Sequence, residues 1–321
     1  MEFRILGPVQ VFDERTGVPI VPSGAKQRAL LGALVVKADQ AVSADRLVDE
    51  LWGEHPPGNA ANALQAHVAR LRRLLPAPPA AGQAPHEWLV TRAPGYVLRL
   101  GPAGTDARTF HRLTAEGRGL APTDPGRSAD VLRRALALWR GPALEGSGRG
   151  TICSVEASLL EESRLVALES LYTACLGAGR AGEITGELEE LTTAHPLRER
   201  FHELLMTALY RCGRQAEALW AYDRAHRRLV RDLGVEPGPL LRGRMEAIRH
   251  DPEPAPFHPT DPPAGPSGPS APSAGDDDGP SVRLLRAELA DLRRHIERLT
   301  REQRDLTDRL EALTATHAAT P

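Results

Sequence analysis

Lysine is nearly absent from this chain of 321 residues: of its 40 basic residues only Lys26 and Lys37 are lysines. Aromatic side chains make up 4%, and the three cysteines, Cys153, Cys175 and Cys212, stand far apart with no CxxC pair. That usage argues against a disulfide framework or a cysteine zinc site and for a reducing, cytoplasmic location. No apolar run reaches transmembrane length, and the opening M-E-F-R-I-L-G-P lacks the basic-then-apolar order of a signal peptide. The formal net charge of −2 leaves no global basic field, so any nucleic-acid surface has to be local. Catalytic signatures are missing as well: there is no GxxxxGK[ST] phosphate loop, no GxGxxG after a strand, no HExxH and no GxSxG. His195, His202 and His226 read as cap or surface positions, E-L-E-E at 187–190 as a charged helix face, and D-D-D at 276–278 lacks calcium-loop spacing. No enzyme, cofactor or metal is expected.

What is present suffices for packed cores, with 41% hydrophobic and 26% charged residues. The length predicts two or three domains. Residues 251–280 carry ten prolines and no lysine or arginine, with Phe257 as the single large apolar side chain, and read as a disordered Pro/Gly/Ser-rich linker. A softer break lies near 100–106, and P-A-P-P-A-A-G-Q-A-P at 76–85 reads as a loop inside the first unit. The predicted organisation is an α+β unit over 1–102, a helical unit over 106–250, the linker, and a heptad helix over 281–314.

In the first unit F-R-I-L-G-P-V-Q-V-F alternates apolar and polar residues around a Gly-Pro break, and V-P-I-V-P is a second strand-like run. Lys26–Val36 has apolar pairs four apart and reads as a helix. Ser43 is the expected N-cap of a second helix burying Leu47, Val48, Leu51 and Trp52, and Asn59 that of a third running to Leu75. W-L-V-T-R-A-P-G-Y-V-L-R-L then gives two alternating runs about Pro94-Gly95, read as a type II turn and a β-hairpin. Strands, three helices and a hairpin are the order of a winged helix-turn-helix with an extra N-terminal sheet.

Residues 106–250 read as helical throughout. A-G-R-A-G-E at 178–183 recurs as C-G-R-Q-A-E at 212–217, an offset of 34 residues, and Gly126-Arg127 opens a third similar helix. That is the tetratricopeptide period, and Ala218, Tyr222 and Ala225 fit its second-helix spacing. Further on, Val282, Leu285, Leu289, Leu292, Ile296, Leu299, Gln303, Leu306, Leu310 and Leu313 step by 3 and 4 without a slip. Leucine at every d position with Val and Ile among the a residues favours a parallel two-stranded coiled coil, with Gln303 setting register and Glu288 facing Arg293 of the partner. The alternatives are a single amphipathic helix docked on the helical unit, or a coil with another regulator's helix.

The third helix carries the functional signal. Leu64, Val68, Leu71 and Leu75 form its core stripe. Opposite lie Asn62, Ala66, Ala69 and Arg73, flanked by Asn59 and Arg70 on one edge and Gln65 and Arg72 on the other. Small alanines let such a helix sink into a major groove about 12 Å wide, where arginine can fork onto guanine and Asn or Gln onto adenine. The competing reading is an ordinary solvated helix face. At the hairpin tip, Arg92 and Thr91 are placed to meet phosphates or the minor groove, while Tyr96 reads as hairpin packing. Lys26 and Arg28 either face a phosphate or simply begin a solvated helix. The first hundred residues hold 11 basic against 9 acidic groups, so the basic face must be concentrated on one side.

The order F-R-I-L-G-P-V-Q-V, K-Q-R-A-L-L-G-A-L, L-V-D-E-L-W-G, N-A-L-Q-A-H-V-A-R-L-R-R-L-L and T-R-A-P-G-Y-V-L, then A-L-A-L-W-R-G-P-A-L and D-L-G-V-E-P-G-P-L-L, resembles the Streptomyces antibiotic regulatory proteins over residues 1–250. The resemblance implies an OmpR-type winged helix followed by a tetratricopeptide-like bacterial transcriptional activation domain. It further implies an activator of a secondary-metabolite gene cluster that binds promoter direct repeats near the −35 region and recruits RNA polymerase holoenzyme. The ATPase module of larger members and the forkhead-associated module of related regulators are not recognisable, and 251–321 falls outside the small-member pattern. The expected molecule is mainly α with a small α+β N-terminal domain: a cytoplasmic, DNA-binding activator, a homodimer through the heptads, with no membrane partner. The rivals are a scaffold of helical repeats and coiled coil that binds no DNA, or a repressor using the same DNA contacts.

Overall fold

Hydrophobic alternation around Gly7-Pro8 produces two short strands, β1 (Glu2–Arg4) and β2 (Gln10–Asp13), which pair antiparallel and bury Phe3 and Val11. β3 (Val18–Ile20) extends the sheet beside β2. On the other side of β1 lies β7 (Gly104–Thr105), parallel to it, in the stretch the sequence marks as a soft break. In this computed structural model the described residues are 1–75, 88–101, 103–148 and 150–250. The linker, the heptad helix and the loop at 76–85 lie outside them.

α1 (Ala25–Val36) is followed by β4 (Val42–Ser43), α2 (Ala44–Trp52), α3 (Ala60–Leu74) and the hairpin β5 (Leu89–Arg92) and β6 (Gly95–Leu98). Ser43 caps α2 as its sequence position predicts, its hydroxyl accepting from the Arg46 N–H at 3.3 Å. Asn59 also occupies a cap position, but its side chain accepts no hydrogen bond from α3. Its backbone carbonyl accepts from Ala63 instead. The hairpin turn differs from the expected type II. Gly95 lacks the positive φ that such a turn about Pro94-Gly95 requires, and the Ala93–Pro94 peptide is cis. Gly95 answers a different demand: β4 crosses so closely that a Cβ there would sit 2.0 Å from the Val42 carbonyl oxygen. The sheet order is β4-β6-β5, leaving β5 on an edge.

The remaining described chain is helical: α4 (Asp106–Leu120), α5 (Pro125–Leu136), α6 (Thr151–Gly177), α7 (Ala181–Ala194), α8 (Glu199–Arg211), α9 (Gln215–Leu233) and α10 (Pro239–His250). The 34-residue repeat recurs in the geometry of two helix corners. Gly179 and Gly213 end α6 and α8 with φ of 74° and 77°, and the Arg180 and Arg214 N–H groups reach back to the Cys175 and Leu209 carbonyls, each at 2.9 Å. Such 6→1 closures satisfy carbonyls left open at a helix end. The same arginines then pair with Glu183 and Glu217 in the next helix. Ala218, Tyr222 and Ala225 are buried at the helix contacts. Gly126 and Arg127 open α5 by another device, an Asp124 cap on the Arg127 N–H with Pro125 in the first turn. The glutamates at 187 and 189 tie helices together, Glu187 to Arg133 and the Tyr172 hydroxyl, Glu189 to Arg224. His202 is a correction to the surface reading: it is buried, with Nε2 3.0 Å from the Pro196 carbonyl oxygen.

Two hydrophobic cores result. One is confined to α5–α10 and holds Leu132, Tyr172, Phe201, Leu205 and Leu209 among others. The other runs from the N-terminal sheet through the three-helix unit into α4, α5 and α6, joining Phe3, Leu30, Leu47 and Leu64 to Phe110, Trp139, Leu144 and Ile152. Backbone bonds follow it: Leu144 donates to Ile5, Arg140 to Leu6 and Glu145 to Gly7.

Candidate nucleic-acid interface

α2 and α3 form a helix-turn-helix whose inner surface is dictated by apolar spacing. Leu64, Val68, Leu71 and Leu75 are buried together, as their period predicts. With that stripe fixed inward, Asn59, Asn62, Gln65, Ala66, Ala69, Arg70, Arg72 and Arg73 are all exposed. The α3 face therefore presents amides and guanidiniums with two alanines between them. Thr91 and Arg92, at the end of β5 beside Pro94, are exposed as well, while Tyr96 is buried in the hairpin.

Hydrogen bonding separates these side chains. Arg72 is not a simple outward projection: Nε donates to the Leu89 carbonyl at 3.0 Å and Nη2 to the Thr91 hydroxyl at 2.9 Å. Arg73 leans along its own helix toward the Ala69 carbonyl at 3.4 Å. Among the described residues none of Arg70, Arg72, Arg73 and Arg92 forms an ion pair, whereas Arg133, Arg180, Arg198, Arg214 and Arg224 of the helical unit each do. Charge is thus left open on α3 and at the hairpin tip, and paired at those five positions of the helical unit.

Lys26 and Arg28 serve the scaffold. Lys26 Nζ donates to the Leu51 carbonyl at the end of α2 and lies 5.7 Å from the Trp52 ring centre. Arg28 donates to the carbonyls of Pro22 and Gly146, each at 3.1 Å. A residue the sequence reading passed over, His67, packs its ring 5.9 Å from that of Trp52. Burial, followed by the nearby charges of Arg70 and Lys26, holds its pKa below the usual histidine value. Its position between the core stripe and the exposed face of α3 was the available signal.

Glu50 anchors this unit to the rest of the molecule. Only 4% exposed, its carboxylate accepts the N–H groups of Ile152 at 2.7 Å and Cys153 at 3.0 Å, capping α6 from α2. A carboxylate at the positive end of a helix is favourable on both hydrogen-bond and dipole grounds. Among the described residues no three His, Cys, Asp or Glu side chains gather as metal ligands would, and no helix is long and apolar enough to cross a membrane.

Comparison with known proteins bears on what such a surface is for. The family described as "Transcriptional regulatory protein, C terminal" matches residues 19–98, and "Bacterial transcriptional activator domain" matches 105–249. The transcriptional regulator RedD of Streptomyces coelicolor is 44% identical over 78% of this chain and 71% of its own length. The regulatory protein DnrI of Streptomyces peucetius is 36% identical over 78% of this chain and 93% of its own. The regulatory protein AfsR of Streptomyces griseus is 38% identical over 80% of this chain, which spans only 26% of that relative. Among solved structures, Mycobacterium tuberculosis EmbR in complex with a low-affinity phosphopeptide superimposes with a TM-score of 0.70 at 36% identity, over 77% of this chain and 64% of the other. Both halves of the described molecule match in order, and RedD and DnrI align with this chain over most of their own lengths, so the chain belongs to the Streptomyces antibiotic regulatory protein family of transcriptional regulators.

Proposed function

We propose that this protein is a cytoplasmic, sequence-specific DNA-binding activator of a secondary-metabolite gene cluster. α3 enters the major groove and the β5–β6 hairpin lies against the adjacent backbone. Asn62, Gln65 and Arg70 read base edges, Ala66 and Ala69 permit close approach, and Asn59, Arg73 and Arg92 meet phosphates. The observation that carries this reading is the exposed arginine and amide face of α3 beside the hairpin, where among the described residues Arg70, Arg72, Arg73 and Arg92 form no ion pair. The helical unit recruits RNA polymerase holoenzyme from promoter direct repeats near the −35 region, as the family resemblance implies. The heptads at 282–313 bring two protomers together, which turns the second DNA contact into an intramolecular event at about millimolar effective concentration.

The test is a fluorescence-anisotropy titration on duplexes from promoters flanking the gene, at two salt concentrations, with Arg70→Ala and Arg73→Ala alongside. Each lost phosphate contact should lower the salt slope by about 1, and a lost base contact should relax sequence preference. Binding no stronger than to a random duplex, by protein that remains helical, would return the assignment to a protein-interaction scaffold.

A further inference from the structure

The placement of Arg72 suggests a role other than touching DNA. β5 is the edge strand of its sheet, and the carbonyls of an edge strand need partners from elsewhere. The Leu89 carbonyl finds one in Arg72 Nε at 3.0 Å, while Arg72 Nη2 reaches the Thr91 hydroxyl at 2.9 Å. One guanidinium thus bridges the last turn of α3 to two points on β5 that lie two residues apart. Arg72 and Leu89 stand 17 residues apart in the chain, so the bridge is a tertiary contact between helix and strand. The planar fork of arginine suits such a bridge; an ammonium is a point charge without that geometry.

We propose that Arg72 is a positioning residue: it clamps the hairpin to the recognition helix, so that Arg92 and the α3 face meet one duplex in a single fixed arrangement. This rests on the reading of α3 and the hairpin as the DNA interface. Thr91, in the free protein, is the acceptor of the clamp, and its hydroxyl matters through Arg72.

Arg72→Lys separates this role from a phosphate contact, because it keeps the charge and loses the fork. The full chain and its Arg72→Lys, Arg72→Ala, Thr91→Val and Thr91→Ser variants are compared by hydrogen–deuterium exchange of the amides at 89–98 without DNA, and by anisotropy on promoter and random duplexes. Arg72→Lys is expected to weaken selective binding roughly tenfold, close to Arg72→Ala, and to speed hairpin exchange in the free protein. Thr91→Val should reproduce part of both effects, and Thr91→Ser should restore wild-type behaviour. Wild-type affinity and unchanged exchange in Arg72→Lys would overturn the clamp and leave a charge contact. A wild-type chain that binds no duplex selectively would instead overturn the DNA reading, and this proposal with it.

Discussion

Three buried residues do more than their type suggests. Glu50 belongs to the helix-turn-helix yet closes the first turn of α6, so Glu50→Ala leaves two N–H groups buried without an acceptor. A loss of about 1–3 kcal/mol is expected in denaturant unfolding. His202 spends its Nε2 on a carbonyl, while its Nδ1 is buried without a partner. Burial, the largest cause, depresses its pKa below 6.5. The folded state therefore favours the neutral ring, and the unfolded chain takes up the proton first as pH falls. This contribution to stability is present above pH 6.5 and is lost as pH drops through the lower folded value. Melting temperatures between pH 7 and 5 should fall less steeply in His202→Gln than in the wild type, and parallel curves would contradict this account. Gly95 admits no side chain, and Gly95→Ala should detach β4 from the hairpin, seen as a lowered melting point with loss of DNA binding.

At the scale of elements, α3 and the two repeated corners obey different rules. α3 is two-sided, so substitutions on its faces should separate cleanly. Leu64→Ala should cost about 2–5 kcal/mol of stability, whereas Asn62→Ala or Gln65→Ala should leave stability alone and alter which duplex is preferred. The corners at Gly179 and Gly213 have open space where a Cβ would go, so only the left-handed backbone resists a side chain. Gly179→Ala and Gly213→Ala should therefore each cost about 1–2 kcal/mol, and by similar amounts, in equilibrium unfolding. Unequal costs would show that the two corners are not mechanically equivalent.

For the whole molecule, the shared core is the governing feature. The winged unit buries its sheet and helices against Phe110, Trp139, Leu144 and Ile152, which arrive from α4 onward. Cut after residue 102, that surface would lose its cover, and the fragment should not melt cooperatively. Thiol labelling gives a gentler probe. Cys153 and Cys175 are buried, burial raises both thiol pKa values, and the nearby Glu50 charge raises that of Cys153 further. Cys212 is exposed. Native protein should label quickly at one thiol only, and labelling of Cys153 should keep pace with opening of the junction between α2 and α6. Deleting residues 281–321 should lower the mass measured by light scattering and weaken cooperative operator binding; no change in either would remove the heptads from the assembly.

Periodicity alone was enough to place the three helices of the first unit, the buried stripe of α3 and its opposite face, because side-chain direction in a helix follows from spacing. The 34-residue echo was equally legible, since the same corner needs the same glycine and the same arginine–glutamate pair. Tertiary structure alone decided what depends on neighbours distant in sequence. It tied Lys26, Arg28 and Arg72 to carbonyls of neighbouring segments, buried His202, and brought Gly104–Thr105 beside β1. It also set Glu50 on the end of a helix that begins about a hundred residues later. An arginine's sequence position shows that it can reach a groove face; only the acceptors around it determine whether its charge remains open there.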